Sequence, residues 1–209
     1  MTGTGTRMPR RPKSPPSPAR STKAPSHHGD GVVRIIGGQW RSRKLRFHSA
    51  EGLRPSSDRI RETLFNWLAP TIAGARCLDL FAGSGALGLE ALSRGAASCD
   101  FVESDSATAN QIRRHLDTLL CREGQVHTMT ADHYLSRNNS PWDIVFLDPP
   151  FGKELLPPAI GGLSPLLRAD SLIYIETAKG ESVTVPGHWR EEKHKTAGQV
   201  EYRLYIVGE

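Results

Sequence analysis

The sequence predicts an α/β fold: a mostly parallel sheet of seven strands with helices on both faces, preceded by a small β-hairpin. Three observations carry this. Short apolar runs alternate with amphipathic helical patterns from Arg76 to Val207. One run, Ile144-Val145-Phe146-Leu147, is apolar throughout, as expected of a strand covered on both faces. A glycine-rich turn, Gly83-Ser84-Gly85, joins the first strand to the helix that follows it. Strands alternating with helices pair in parallel through right-handed crossovers, and a ligand is then expected beyond the carboxyl ends of the strands.

The 209 residues suit one domain with a tail. Residues 1–31 hold six of the 15 prolines and only four apolar residues, Met1, Met8, Ala19 and Ala24. Such a segment cannot bury enough surface to offset its ordering entropy, so a disordered basic tail is expected, with weak non-specific affinity for RNA. It lacks the apolar run of a secretory signal. The folded domain is expected over 32–209, with 32–56 as a basic extension. There, Val32 to Ile36, then Gly37-Gly38, then Trp40 to Phe47 with Arg41, Arg43, Lys44 and Arg46 predict a hairpin carrying cations. Ser56, Ser57 and Asp58 offer helix caps. Ile60, Leu64, Trp67 and Leu68 then form one apolar face of a helix that ends before Pro70, with Arg59 and Arg61 off that face.

Strands are expected at 76–81, 98–102, 125–130, 142–147, 172–175, 183–185 and 202–207, with helices at 85–94 and 107–120. A further short helix follows Asp132, which could serve as its N-cap.

Charge divides sharply along the chain. Residues 1–31 carry +5, residues 32–61 carry +6, and residues 62–209 carry −6. A basic front on an acidic body points to a polyanionic partner met by one end of the protein. No run of 18 apolar residues exists to span a bilayer. Cys77, Cys99 and Cys121 lack CxxC spacing, so reduced thiols and a cytoplasmic setting are expected. His115, His127 and His194 form no ligand spacing, and no metal is expected.

The chemistry concentrates at strand ends. Gly83 and Gly85, within Asp79 to Gly88, let the backbone turn tightly and approach a ligand where a Cβ would clash. A GxGxxG alone is shared with nucleotide dehydrogenases. Here Asp79 precedes the loop, and a carboxylate there repels a pyrophosphate but attracts an ammonium group. Glu103 closes the second strand, placed to accept from ribose hydroxyls. A ligand with a ribose and a cationic amino-acid moiety but no phosphate fits both, and S-adenosylmethionine is that ligand. Phe81, Ala82 and Ser84 complete its expected binding loop. Asp132 is placed to accept from an adenine amino group, with the His133 backbone N–H facing a ring nitrogen.

Asp148-Pro149-Pro150-Phe151 follows the fully apolar strand directly. Two prolines remove two backbone donors and leave a stiff loop whose carbonyls are free to accept. The Asp148 carboxylate and the Pro149 carbonyl could take both hydrogens of an exocyclic base amine, with Phe151 as a stacking face. By itself Asp-Pro-Pro is an ordinary turn after a strand; the glycine loop upstream, in the right order, favours the catalytic reading.

Asp79 to Gly88, Glu103 and Asp148 to Phe151 resemble class I S-adenosylmethionine-dependent amino-methyltransferases, a Rossmann-like fold. More narrowly, Arg34 to Arg41, Leu53 to Phe65 and Gly198 to Tyr205 resemble the RsmD family of bacterial 16S rRNA guanine-N2 methyltransferases. The resemblance covers about residues 32–207. Ser57 stands where the family more often has Thr, which keeps the hydroxyl. The resemblance implies that the substrate is one guanine of 16S rRNA, alone or in a 30S subunit, methylated on N2, by a protein expected to be a monomer. Arg34, Gln39, Arg41, Arg43, Lys44, Arg54, Arg59 and Arg61 are then expected to hold flanking RNA. Two other classes stay open: an adenine-N6 amino-methyltransferase acting on DNA or RNA, and a catalytically silent RNA-binding protein. An NAD-dependent dehydrogenase would leave Asp148 to Phe151 unexplained.

Overall fold

The N-terminal hairpin forms a separate two-stranded antiparallel sheet, β1 (Asp30–Arg34) and β2 (Lys44–His48). This computed structural model describes residues 1–3, 30–48, 57–138 and 140–209; most of the expected tail, Arg54 and the Ser56 cap lie outside the described residues. β1 starts at Asp30, two residues before the boundary drawn at Val32. Trp40 to Ser42, expected in the second strand, make a turn instead, in which the Arg43 N–H donates to the Trp40 carbonyl at 3.0 Å. Gly38 enters that turn with φ +75°, and a Cβ there would sit 1.8 Å from the Ser93 carbonyl oxygen. Side chains alternate as a strand pair dictates: Val33, Leu45 and Phe47 are buried, while Val32, Arg34, Lys44 and Arg46 face water.

Helix α1 (Asp58–Trp67) is capped by Ser57, whose Oγ accepts from the Ile60 N–H at 3.3 Å. Its buried stripe is wider than the apolar spacing suggested, because Phe65 is wholly buried and lies four residues after Arg61. Arg61 is therefore not on the outer face. It is 1 % exposed, donates to the Arg34 carbonyl at 2.9 Å and to Asp58 Oδ1 at 2.6 Å, and is removed from the set of direct RNA contacts.

The main sheet has seven strands in the order β5-β4-β3-β6-β7-β9-β8: β3 (Arg76–Asp79), β4 (Ser98–Glu103), β5 (Gly124–Thr128), β6 (Ile144–Leu147), β7 (Leu172–Ala178), β8 (Trp189–Ala197) and β9 (Val200–Val207). β3 to β7 run parallel, and β9 is antiparallel to both β7 and β8. On one face, α1, α2 (Ala86–Ser93) and α3 (Ser106–Thr118) enclose a core that includes Leu64, Phe65, Leu89, Phe101, Ile112 and Phe146. On the other, α4 (Ala131–Arg137) and α5 (Leu156–Leu163) cover Leu78, Trp142, Val145, Leu147 and Ile173.

Three segments depart from the sequence reading. Val183 to Val185 form no strand; both valines pack against the second core, and Pro186 follows them. The seventh strand is β8, whose interior is charged and exposed, so it carries no apolar period. α5 was hidden by Pro157, Pro158, Gly161 and Gly162, although its prolines occupy the first turn, where no backbone N–H is needed.

The hairpin is tied to α2 from within. All eight residues of α2 are buried, and Glu90, 0 % exposed, accepts from the Ile36 and Gly37 N–H groups at 2.8 Å each and from Arg94 Nε at 2.7 Å. Arg61 Nη1 lies 3.8 Å from the same carboxylate. Ser93 Oγ accepts from the Trp40 N–H at 3.0 Å and donates to the Gly37 carbonyl at 2.6 Å. Removing this acceptor leaves two arginines and two backbone donors without it. Glu90→Ala is expected to cost about 3–5 kcal/mol of folding stability in urea denaturation; a cost within about 1 kcal/mol would show the hairpin to be held by apolar contact instead.

Candidate active site

Sheet order places the site. The chain winds outward from β3 through β4 to β5, then returns to β6 on the other side of β3, so the crossover direction reverses between β3 and β6. A crevice opens at such a point beyond the carboxyl ends of the strands. Asp79 ends β3, Glu103 ends β4, and Asp148 follows the last residue of β6. Asp79 pairs in register with Phe146, and the Leu80 N–H donates to the Phe146 carbonyl at 3.2 Å. The glycine turn and the Asp148 loop thus leave adjacent strands at one level.

The turn is built around two carboxylates. Asp79 is 1 % exposed and accepts from the Gly88 N–H, in the first turn of α2, at 3.0 Å. Burial pushes its pKa up to about 7, against the lowering effect of that hydrogen bond, and the nearby Glu103 charge adds to the rise. Glu103 accepts from the Gly83 N–H at 2.9 Å and from the Asp105 N–H at 2.8 Å. The Ala82 N–H donates to the Val102 carbonyl at 2.9 Å. Gly83 (φ +50°) and Gly85 (φ +77°) both take the left-handed conformation, and α2 starts after Gly85 without a side-chain cap. Phe81 is half-buried, while Ala82 and Ser84 are buried beneath the turn.

The buried, charge-starved Asp79 carboxyl and the two left-handed glycines fit an elongated ligand with a cationic end, which is the donor set S-adenosylmethionine requires. Asp79 would hold its ammonium group, Glu103 its ribose hydroxyls, and the turn Phe81 to Gly85 its backbone. The Met129 N–H donates to the Glu103 carbonyl at 3.1 Å, so the segment leading to Asp132 starts beside Glu103. Asp132 and His133 are exposed in the first turn of α4. Asp132 is not the cap: Thr130 Oγ1 takes the His133 N–H at 3.4 Å, which removes that N–H from the expected contact with an adenine ring nitrogen.

At the Asp148 loop, Asp148 is half-buried, Pro149 is buried, Pro150 is exposed and Phe151 is 44 % exposed. Beside it, sequence reasoning missed a buried pair at the end of β7: the Tyr174 hydroxyl donates to Glu176 Oε1 at 2.7 Å. Burial, with the Glu176 and Asp148 charges nearby, pushes the Tyr174 phenol well above its ordinary pKa. The only sequence signal was an acid closing an otherwise apolar strand.

The expected RNA-contacting residues divide by position. The open end of the hairpin approaches the glycine turn, since Phe47 and Val33 pack on Ala86 at the start of α2. Its closed end, with exposed Gln39 and Arg41, lies against Ser93 at the far end of that helix. Arg34, Arg43, Lys44 and Arg59 are exposed, and Arg34 pairs with Asp58 at 2.8 Å. Among the described residues no cluster of His, Cys, Asp and Glu could hold a metal ion, and no helix is long and apolar enough to cross a membrane.

Sheet order, glycine turn and acidic strand ends together define the class: a Rossmann-like class I methyltransferase. The sequence profile of the family described as Conserved hypothetical protein 95 matches residues 33–206, and the chain belongs to this family. It is 50 % identical over 186 residues to ribosomal RNA small subunit methyltransferase D of Escherichia coli (strain K12), covering 88 % of this chain and 94 % of that one. Its identity to the protein of the same name from Haemophilus influenzae is 47 %, over 88 % of this chain and 98 % of that one. The solved structure of yhhF from Escherichia coli, described as a methyltransferase, superposes with a TM-score of 0.78 at 48 % identity, covering 85 % of this chain and 99 % of the other. At 20 % identity, a Thermus thermophilus 16S rRNA N2 methyltransferase solved with AdoMet and guanosine shares the fold, with a TM-score of 0.63 over 87 % of this chain and 50 % of that one.

The raised pKa of Asp79 has a definite consequence for stability. A carboxyl with a folded-state pKa above its ordinary value contributes fully below about pH 4, and that contribution is lost as pH rises through about 7. The Tm of the ligand-free protein is therefore expected to fall relative to that of Asp79→Asn as pH rises across this window. A Tm difference that stays flat would show that Asp79 is an ordinary ionised carboxylate.

Proposed function

We propose that the chain methylates the exocyclic N2 amine of one guanine in 16S rRNA, using S-adenosylmethionine, during maturation of the small ribosomal subunit. That it is an rRNA methyltransferase rests on its family and on half-identity to relatives named for that activity along nearly their whole length. The observation that carries the chemistry is the pairing of the Asp148 loop with the glycine turn on adjacent strands, across the Leu80 to Phe146 hydrogen bond.

When bound, the cofactor supplies a methyl group on a positively charged sulfur. The protein's part is alignment. Asp79 neutralises the cofactor's ammonium group within the buried end of the crevice, and Glu103 fixes its ribose. Asp132, exposed in the first turn of α4, accepts from the adenine amino group. The amine of guanine is a poor nucleophile because its lone pair is delocalised into the ring. The Asp148 carboxylate and the Pro149 carbonyl accept its two N–H groups and turn the nitrogen's lone pair toward the methyl group. Phe151, with nearly half its surface open, supplies a face on which the base stacks. The target base must leave its own stack to reach Asp148, which is easier in a single-stranded loop than in a duplex. Arg34, Arg43, Lys44 and Arg59 hold flanking phosphates, with Gln39 and Arg41 further from the crevice.

Two outcomes test this reading. In labelled-methyl transfer to unmodified 30S subunits, naked 16S rRNA and DNA, nucleoside analysis is expected to yield N2-methylguanosine; N6-methyladenosine would overturn the guanine assignment. Asp148→Ala is expected to lower turnover on the order of a thousandfold while cofactor Kd stays within about threefold; an equal loss of both would move Asp148 from the substrate to the cofactor. Because an ammonium group beside Asp79 favours its ionised form, cofactor binding is also expected to release a proton and to tighten between about pH 6 and 8. Calorimetry in buffers of different ionisation enthalpy reads this directly, and heats identical in all buffers would contradict it.

A further inference from the structure

We propose that the β8 edge of the sheet is a second RNA-binding surface, joined to the hairpin cations across α1, which holds the RNA strand on the opposite side of the catalytic loop. The inference rests on the rRNA reading above and names a surface that reading does not use. In sequence, the lysines of β8 are masked, since Glu191 and Glu192 stand between Arg190 and Lys193. Folding sorts these charges. Lys193 lies opposite Leu204 and Lys195 opposite Tyr202 on β9, both buried in the core shared with α1, so the two lysines project on the α1 side. Glu191 and His194 lie opposite Tyr205 and Arg203, and project on the other side.

The acids of this edge are already neutralised. Arg203 pairs with Glu201, and with Glu191 at 3.6 Å, while Arg190 pairs with Glu192 at 2.7 Å. Glu201 also accepts from the Gly180 N–H at 3.2 Å, and this, with Arg203, holds its pKa below the ordinary value. Lys193 and Lys195 are exposed and form no ion pair among the described residues. Lys195 Nζ stands 5.9 Å from the ring centre of Trp67, which itself stacks on Tyr202 at 5.4 Å. A cation held over a half-exposed indole presents charge and a flat apolar surface together, the combination that a phosphodiester strand with unstacked bases can use.

Continuity with the hairpin follows from α1. Its first residue, Asp58, pairs with Arg34 of β1, and its last, Trp67, lies under Lys195 of β8. Arg59, Thr63 and Trp67 recur every four residues between them, on one stripe about 12 Å long. Glu62 is the exposed acid on this helix beyond its first residue. The hairpin packs on α2 and α3, the helices over the half of the sheet containing β3 and β4; β8 forms the far edge, and Asp148 after β6 lies between these two sides. A strand of RNA whose base enters the crevice at Asp148 is then gripped on both sides.

The test is a Lys193→Ala/Lys195→Ala variant, with Arg122→Ala/Arg137→Ala as the control, measured for methyl transfer and for binding to 16S rRNA across salt. Both lysines are exposed and form no ion pair among the described residues, and the contact of Lys195 with Trp67 is worth at most about 1 kcal/mol at such a site, so the variant is expected to keep nearly the wild-type Tm and the wild-type cofactor Kd. Its KM for RNA is expected to rise about tenfold with kcat unchanged, and the slope of log affinity against log salt to become shallower by about 1.4, as for two lost single-strand phosphate contacts. A wild-type enzyme that methylates rRNA alongside a double variant with unchanged KM and slope would overturn this surface and leave the proposed function standing. So would an equal loss in the control, or a loss in kcat alone. A wild type that transfers no methyl group to any rRNA overturns the function, and this surface with it.

Discussion

The crevice depends on a carboxyl group kept out of water. Asp79 ends β3 beneath the glycine turn, and its hydrogen bond from Gly88 fixes the first turn of α2 relative to the strand. Glu103 does the same from the neighbouring strand by taking the Gly83 N–H. The loop between them is therefore set by two acids rather than by its own flexibility. A carboxyl group that is costly to ionise when alone ionises readily once a cation lies beside it.

What the sequence revealed, and what it hid, has a physical pattern. β3, β6 and β7 were legible because their apolar runs are covered on both faces and bounded by turn residues; β5, an edge strand with no buried residue, has no such run. The site was legible for a related reason: glycines and prolines at strand ends have few purposes, and an acid beside each narrows them further. β8 was not legible, because an edge strand in contact with water needs no apolar face, and charges protect its free edge from pairing with other chains. Arg61 was misplaced because Phe65 had been left out of the buried stripe of α1. Glu90 was invisible as well. Its position in an otherwise apolar helix reads as a solvated residue until the hairpin, distant in sequence, supplies its donors.

Charge behaves in the same layered way. The net charges of the segments located a basic front, and the hairpin bears it out with alternating buried and exposed positions. They could not locate the lysines of β8, whose neighbours in sequence cancel them and whose neighbours in space do not. Strand alternation sorts a mixed string into two faces of different character. Glu191 goes to the face where Arg203 waits, Glu192 is taken up by Arg190, and the lysines go to the face shared with α1.

The Glu90 clamp gives the hairpin a different status from that of an appended binding module. Its tip is bolted to the same eight-residue helix whose opposite end frames the glycine turn. Excising residues 30–48 would strip a carboxylate sealed inside the fold of its backbone partners. The change of charge sign near residue 61 is thus a border in charge alone, and the hairpin belongs to the same folded unit as the sheet.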